Sequence, residues 1–329
     1  MSNLQVQLVR YPEGTPAPED FALVDAPMPA ARPGELLLQV EWLGLDPFPR
    51  LRMRSDSRVG PPMPLGAVVD GRGLATVVGS DDAAFPLGTL VAAETGWQQF
   101  TALPAAKVQR LPDYAGPASH HLSTLGPSGL TAFFTAELAG VLPGHALVLA
   151  PAAGSVGVVA GQLARAAGAR VIGLAASAAQ CDFLRQSLGF EAATTDPAEL
   201  ATLAPDGVHG FIDGVGGALH DVVAAHLALQ ARVVLLGFIA AYNDAAPPRY
   251  GSALPILFKR ARVQGFLLAD HMHDAPRALQ RLAAALADGS LRAVETIHQG
   301  LAATPAAFAG LFADPAPGKQ IVRLDHQES

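Results

Sequence analysis

From Ser128 onward, short apolar runs alternate with longer segments whose apolar residues recur every third or fourth position. Short runs of this kind make strands and the longer period makes helices, so the alternation confines the region to βαβ units around a parallel sheet. The expected strands cover 146–150, 170–175, 210–213, 232–237 and 263–268, with a short one near Ala192. The expected helices cover 155–167, 179–188, 218–229 and 276–288. In the last of these, Asp274 is placed to cap the start, Leu279, Leu282 and Leu286 share a face, and Gly289 supplies the stop.

The first strand and helix meet in APAAGSVGVVAG, residues 150–161. Gly154, Ser155, Val156 and Gly157 form a tight turn that opens directly into the helix, with Gly161 one turn further on. The first amides of a helix have no intrahelical partner and carry the positive end of its dipole, so a pyrophosphate suits the place. Two readings stand. Gly154 and Gly157 let the backbone close around a phosphate, or the glycines only let the helix pack on the sheet. The spacing departs from GxGxxG, with Pro151 where an earlier glycine would stand.

About 20 residues after such a turn, an acid for the ribose hydroxyls or a base for a 2′-phosphate is expected. This chain has LAASAAQC at 174–181, with neither. Ser177 and Gln180 can hydrogen-bond to either group, so charge does not choose between NADH and NADPH.

Residues 1–125 read differently. Runs such as ELLLQVEW from Glu35, GLATVV from Gly73 and GTLVAA from Gly88 are short and separated by turn residues, the texture of a compact barrel-like β domain. The tail, 296–329, returns to that texture and ends in strand-like QIVRL from Gln320. The fold class is therefore α/β, with a β-rich domain over 1–125, a dinucleotide-binding domain over 126–295, and 296–329 rejoining the first. At 329 residues, half of them apolar, the chain can bury both cores.

Charge and cysteine content narrow the function. Lys and Arg total 22 against 29 Asp and Glu, a net charge of −7, which disfavours a phosphate-tracking surface for nucleic acid. The most apolar long stretch, 222–241, is interrupted by His226, Gln230 and Arg232 and falls short of a membrane span. The start, MSNLQVQLVRYPEGTP, lacks the basic and apolar regions of a signal peptide, and the reading is cytoplasmic. A lone cysteine, Cys181, leaves no intrachain disulfide and no four-cysteine zinc site. His271 and His273 can face one side of an extended segment, but no third metal ligand accompanies them, and no metal site is assigned.

Several segments together resemble the zinc-independent medium-chain dehydrogenase/reductase family, in its group of leukotriene B4 dehydrogenases, prostaglandin reductases and curcumin reductases. They are LDPFPRLRM from Leu45, GWQQF from Gly96, LGPSGLTAFF from Leu125, AAGSVG from Ala152, LGFEAA from Leu188, DGVGG from Asp213, RVQGFLL from Arg262 and GKQIV from Gly318. Order and spacing hold over nearly the whole chain.

The resemblance implies a GroES-like catalytic domain, a Rossmann domain and a homodimer. It implies an NADPH-dependent reductase, with NADH open, that passes hydride to the β-carbon of an enone or enal without zinc. The first zinc-ligand position of the zinc alcohol dehydrogenases falls near Asp46-Pro47. The enolate left by hydride addition needs hydrogen-bond donors and then a proton on its α-carbon.

Tyr242 resembles the family's proposed donor, the alternative being a tyrosine packed on a ribose. Asp46, Phe48, Arg50 and Met53 correspond to the substrate-side segment, where Phe48 replaces a frequent tyrosine and lines the pocket or sits in the core. Thr131 corresponds to a nicotinamide contact or is a structural hydroxyl. Gly237, Phe238, Ile239, Phe266, Leu267 and Leu268 fall on the cofactor-facing loops. Three positions that the resemblance links to NADPH differ, with Gln180 in place of a lysine, Asp196 of a tyrosine and Ala316 of an asparagine. A quinone reductase on the same fold and a non-catalytic dinucleotide-binding sensor or scaffold are the other readings.

Overall fold

A computed structural model describes residues 2–57, 59–246, 251, 253–313 and 315–325. The chain divides into two compact units: Met1–Leu122 with Thr296–Pro315 and Lys319–Ser329, and Ser123–Glu295 with Ala316–Gly318.

In unit 1, β1 (Ser2–Leu8) and β2 (Phe21–Pro27) form an antiparallel pair. β3 (Glu35–Gly44) turns Leu36, Leu38 and Val40 inward at every second position. It pairs antiparallel with β4 (Arg72–Gly79), which carries β5 (Leu90–Ala93) on its far side. β6 (Phe100–Pro104) also pairs with β3, and the short β7 (Gln109–Arg110) borders β5. Trp97, fully buried, sits against the rings of Phe21 and Phe308 at 5.6 and 5.2 Å and anchors this core.

Unit 2 opens with α1 (Pro127–Ala139), then β8 (Ala146–Ala150), α2 (Ser155–Ala166), β9 (Arg170–Leu174), α3 (Ala178–Leu188) and β10 (Ala192–Thr194). α4 (Leu200–Leu203), β11 (Val208–Asp213), α5 (Gly217–Ala225), β12 (Leu227–Leu235), α6 (Leu254–Lys259), β13 (Arg262–Gly265) and α7 (Ala275–Ala287) complete it. The six strands lie parallel in the order β10-β9-β8-β11-β12-β13. Counted from the first of them this is 3-2-1-4-5-6, the Rossmann order, whose crevice opens beyond the carboxyl ends of β8 and β11. β8 is buried along its whole length, as a strand covered on both faces must be, which is why it reads as an unbroken apolar run.

The tail supplies β14 (Glu295–Gln299), α8 (Thr304–Gly310) and β15 (Lys319–Arg323), and β15 pairs antiparallel with β3. Three short residues of it, Ala316–Gly318, belong to unit 2.

Three local expectations change. The helix expected over 218–229 stops at Ala225, and β12 begins two residues later, with Gln230 in a left-handed conformation where the β11–β12 register shifts. The apolar run there carries no glycine or proline to mark the boundary. β13 ends at Gly265, because Leu268–Asp274 winds into a 3-10 helix. Asp274 stands at the start of α7 without capping it, since its carboxylate accepts from Arg277 Nε and Nη2 at 2.8 and 2.6 Å. Arg277 also grips Glu137 of α1, and this pairing outcompetes the backbone.

Candidate functional site

β8 delivers the chain to the crevice and α2 takes it away, with Gly154 at the helix N-cap. No side chain caps α2, so the amides of Val156 and Gly157 are left to whatever lies over the turn, while that of Ser155 faces Gly318 across the bridge to Gly154. The glycines divide the two roles the sequence left open. A Cβ on Gly157 would lie 2.4 and 2.5 Å from the carbonyl oxygens of Ala152 and Pro151, and one on Gly161 would lie 2.0 Å from the Phe190 ring. Both are packing glycines. A Cβ on Gly154 would meet only Pro151, at ordinary contact distances of 3.4 and 3.5 Å, so packing does not require glycine there. An uncapped helix start with an unobstructed glycine suits a diphosphate.

The turn is braced by the unit 2 part of the tail. Gly318 donates its amide to Ala153 O at 2.8 Å and bridges Gly154. It has φ +83°, and a Cβ there would lie 2.2 Å from Val294 O, so only glycine fits.

At the end of β9, Ser177 Oγ accepts from the Gln180 amide at 3.4 Å, and Gln180 Oε1 accepts from the Ala176 amide at 3.0 Å. This is close to a capping box, and both oxygens help to start α3, while the Ser177 hydroxyl hydrogen and the Gln180 Nε2 hydrogens are not used by it. Cys181 is buried beside them, and burial pushes its thiol pKa up, the direction of an inert thiol.

Asp213, at the end of β11, is completely buried. Its Oδ1 accepts from the amides of Val215 and Gly216 at 2.9 and 2.8 Å, and its Oδ2 lies 2.7 Å from His220 Nδ1. A carboxylate can only accept, so Nδ1 carries the hydrogen. In the sequence its signal is an acid that closes an apolar strand just before Gly-Val-Gly-Gly.

The turn after Asp213 carries the loop that follows β12. Ile239 and Ala240 donate their amides to Gly214 O and Val215 O at 3.1 and 3.2 Å. Gly216, at φ +71°, lies against the Phe238 ring, and a Cβ would stand 2.3 Å from it. Tyr242 follows, with its amide donating to Ile239 O. Burial pushes the phenol pKa above its usual 10, and a backbone hydrogen bond with Phe238 offsets part of that. The phenol therefore keeps its proton at neutral pH and is a hydrogen-bond donor.

Gly154–Gly157, Asp213–Gly216 and Gly237–Tyr242 thus meet at one crevice. Thr131 is half-buried on α1, where its carbonyl accepts from the Thr135 hydroxyl. Phe266 is buried and stacks on His271, which Phe134 covers on its other side, while Leu267 is exposed and Leu268 half-buried. Among the described residues no group of three or more His, Cys, Asp or Glu is arranged to hold a metal.

In unit 1, two buried cations fix the segment 46–53. Lys319, 3% exposed, pairs with Asp46. Arg50 donates to the carbonyl oxygens of Met53, Pro12 and Gly14 at 3.3, 3.4 and 2.8 Å, and burial presses its pKa downward. Met53 is fully buried in the core. Of the substrate-side residues, Arg50 and Met53 therefore lie buried within unit 1. Phe48, 54% exposed, is the apolar side chain this segment presents.

Two family models match the chain: the N-terminal domain of oxidoreductase over residues 4–111 and the zinc-binding dehydrogenase over residues 155–284. YfmJ of Bacillus subtilis is 35% identical over 98% of both chains. The NADPH-dependent curcumin reductase of Escherichia coli is 30% identical over 96% of this chain and 95% of its own. The crystal structure of CurA from Vibrio vulnificus in complex with NADPH superposes with a TM-score of 0.91, at 31% identity over 98% of this chain and 99% of that one. With the Rossmann sheet, the β-rich unit and relatives aligned end to end, the chain belongs to the medium-chain dehydrogenase/reductase family, in the group of the curcumin, prostaglandin and 2-alkenal reductases.

Proposed function

We propose that the protein is an NADPH-dependent reductase that saturates the carbon–carbon double bond of α,β-unsaturated ketones and aldehydes, with NADH as a second electron donor. The observation that carries this reading is the uncapped start of α2 in the same crevice as a half-buried, protonated Tyr242. The turn Gly154–Gly157, through the Val156 and Gly157 amides and the Ser155 hydroxyl, would hold the diphosphate, and Gly237–Ile239 with Thr131 would border the nicotinamide. When bound, the nicotinamide supplies the hydride that goes to the β-carbon.

The remaining work falls to the chain. Hydride addition leaves negative charge on the substrate oxygen, and a donor there contributes on the order of 3 kcal/mol in a dry site. Tyr242 is assigned that role, because its phenol holds a proton and has been stripped of much of its water. The α-carbon takes its proton from this phenol or a water it orders. Phe48 is assigned to substrate contact, and Asp46, tied to Lys319, to holding the segment in place.

Among the described residues β13 is an edge strand of its sheet, and Leu254, Leu257, Phe258 and Leu267 around it are exposed. An edge strand related to itself by a twofold axis pairs antiparallel and buries the same apolar residues twice, which supports a homodimer. A cytoplasmic location, where reduced nicotinamide is in supply, completes the reading.

The test is turnover of a small enone, a small enal and a small quinone with NADPH and with NADH, with product analysis. The saturated carbonyl compound is expected. Hydroquinone as the sole product assigns quinone reduction instead, and no turnover of any of them refutes the enzymatic reading.

A further inference from the structure

We propose that Asp213 is a positioning residue for the loop that carries Tyr242, acting through the turn 214–216 and held in place by His220. The inference rests on the assignment of Tyr242 to the reaction.

Burying a carboxylate completely costs several kcal/mol unless its oxygens are satisfied. An apolar residue would end β11 at no such cost. Asp213 uses two of its three hydrogen bonds to fold the turn that follows it, through Val215 and Gly216. That turn faces two ways. The Gly214 amide donates to Ala150 O, at the end of β8 just before the diphosphate turn, at 2.7 Å. The Gly214 and Val215 carbonyls receive the amides of Ile239 and Ala240. Leu236 in turn donates its amide to Asp213 O at 2.7 Å.

A hydrogen-bonded path therefore runs from the strand that presents the diphosphate turn, through the backbone of Gly214 and Val215, to the loop that presents the phenol. The Asp213 carboxylate braces that turn through the Val215 and Gly216 amides. Losing it shifts Ile239–Tyr242 relative to residues 150–157, and a displacement of about 1 Å at a reacting group costs as much as 100-fold in rate. His220, also buried, fixes the carboxylate by donating from Nδ1.

The experiment compares Asp213→Ala, Asp213→Asn, His220→Leu and His220→Asn in the full-length protein. Calorimetric binding of 2′,5′-ADP, which has no nicotinamide, reads the nucleotide half alone. Emission of bound NADPH reads the surroundings of the ring, and enone turnover reads the reaction. In Asp213→Ala and His220→Leu, 2′,5′-ADP affinity is expected to stay within about twofold of wild type, while bound NADPH emission shifts and kcat falls about 10- to 100-fold. Asp213→Asn keeps an oxygen for the Val215 and Gly216 amides, and His220→Asn keeps an N–H at the Nδ1 position, so both are expected to recover most of the loss.

Wild-type kcat and emission in His220→Leu overturn the proposal, as does parallel loss of 2′,5′-ADP binding and turnover in the variants that fold. Equal impairment of the asparagine and apolar variants at both positions also overturns it. Should Asp213→Ala not fold, the two His220 variants decide. If the wild type itself turns over no enone, the functional reading fails, whereas bound NADPH emission still reports whether Asp213 sets the loop.

Discussion

The phenol oxygen of Tyr242 stands 2.9 Å from the point where a Cβ on Gly237 would lie. The glycine two residues past β12 and the tyrosine five residues on thus compete for one volume, and the phenol takes its place because Gly237 lacks a side chain. Gly237→Ala must push the phenol aside or move the loop.

Replacing Tyr242 with phenylalanine removes the hydroxyl and keeps the ring. We expect kcat on an enone to fall about 100-fold or more, with NADPH binding preserved. The pH profile carries the sign of the perturbed phenol. Burial disfavours the phenolate and raises the pKa above 10, so kcat should show no alkaline limb from this residue below pH 10. A limb near pH 9 that vanishes in Tyr242→Phe contradicts the assignment.

Gly154 and Gly157 should separate in their effects. Gly157→Ala drives a methyl into two carbonyl oxygens and is expected to destabilise the protein by about 1–3 kcal/mol. Gly154→Ala meets no such obstacle, and loss of the glycine cap costs only about 0.5–1 kcal/mol. If a diphosphate closes on this turn, Gly154→Ala nevertheless weakens NADPH binding about tenfold, or 1.4 kcal/mol. Thermal melts beside fluorescence titrations read the two effects. Unchanged affinity in Gly154→Ala means that the phosphates lie elsewhere.

What the sequence made legible follows from burial. β8, β9 and β11 are covered on both faces, so each reads as an apolar run, and the glycine turn after β8 locates the crevice. The end of α5 was illegible because the apolar run crosses it without punctuation. The burial of Arg50 is not legible in the sequence, because charge there argues for exposure, whereas the carbonyls of Pro12 and Gly14, distant in the chain, and of nearby Met53 receive it. Ser177 and Gln180 also carry a helix-cap spacing, and their oxygens accept from the amides at the start of α3, a local role that the search for a ribose or phosphate partner passes over. Asp213 was hidden for a different reason. Its role depends on amides that come together only after β11 and β12 pair, and no spacing along the chain records that.

Acid should weaken unit 2 through a histidine pair. His145 and His209 stack with centroids 4.0 Å apart, and their Nδ1 atoms accept from the amides of Leu142 and Ala146, each at 3.3 Å. Burial first, then the neighbouring His145, holds the His209 pKa below the ordinary 6.5. A histidine with a depressed folded pKa contributes stability that is complete above the unfolded value and drains as pH falls through the folded one. The melting temperature should therefore fall below about pH 6.5. His209→Asn keeps an acceptor for Ala146 and should lose less between pH 7 and pH 5. His121 is depressed as well, so the difference between the two curves, rather than the wild-type slope, measures His209. Parallel curves refute the assignment.

Self-association should depend on the apolar residues beside β13. Phe258 is 69% exposed, Leu257 66% and Leu267 68%, an unusual concentration for a surface that meets only water. They adjoin a strand whose outer hydrogen-bonding edge has no neighbour among the described residues, an edge that suits pairing with another chain. A second copy answers both needs, because twofold symmetry brings the same strand and the same residues together. Phe258→Asp puts a charge at the centre of that contact and is expected to give a monomer in sedimentation at micromolar concentration, with its melting temperature newly independent of protein concentration. A wild type that sediments as a monomer, or a Phe258→Asp variant that remains dimeric, removes this face as the interface.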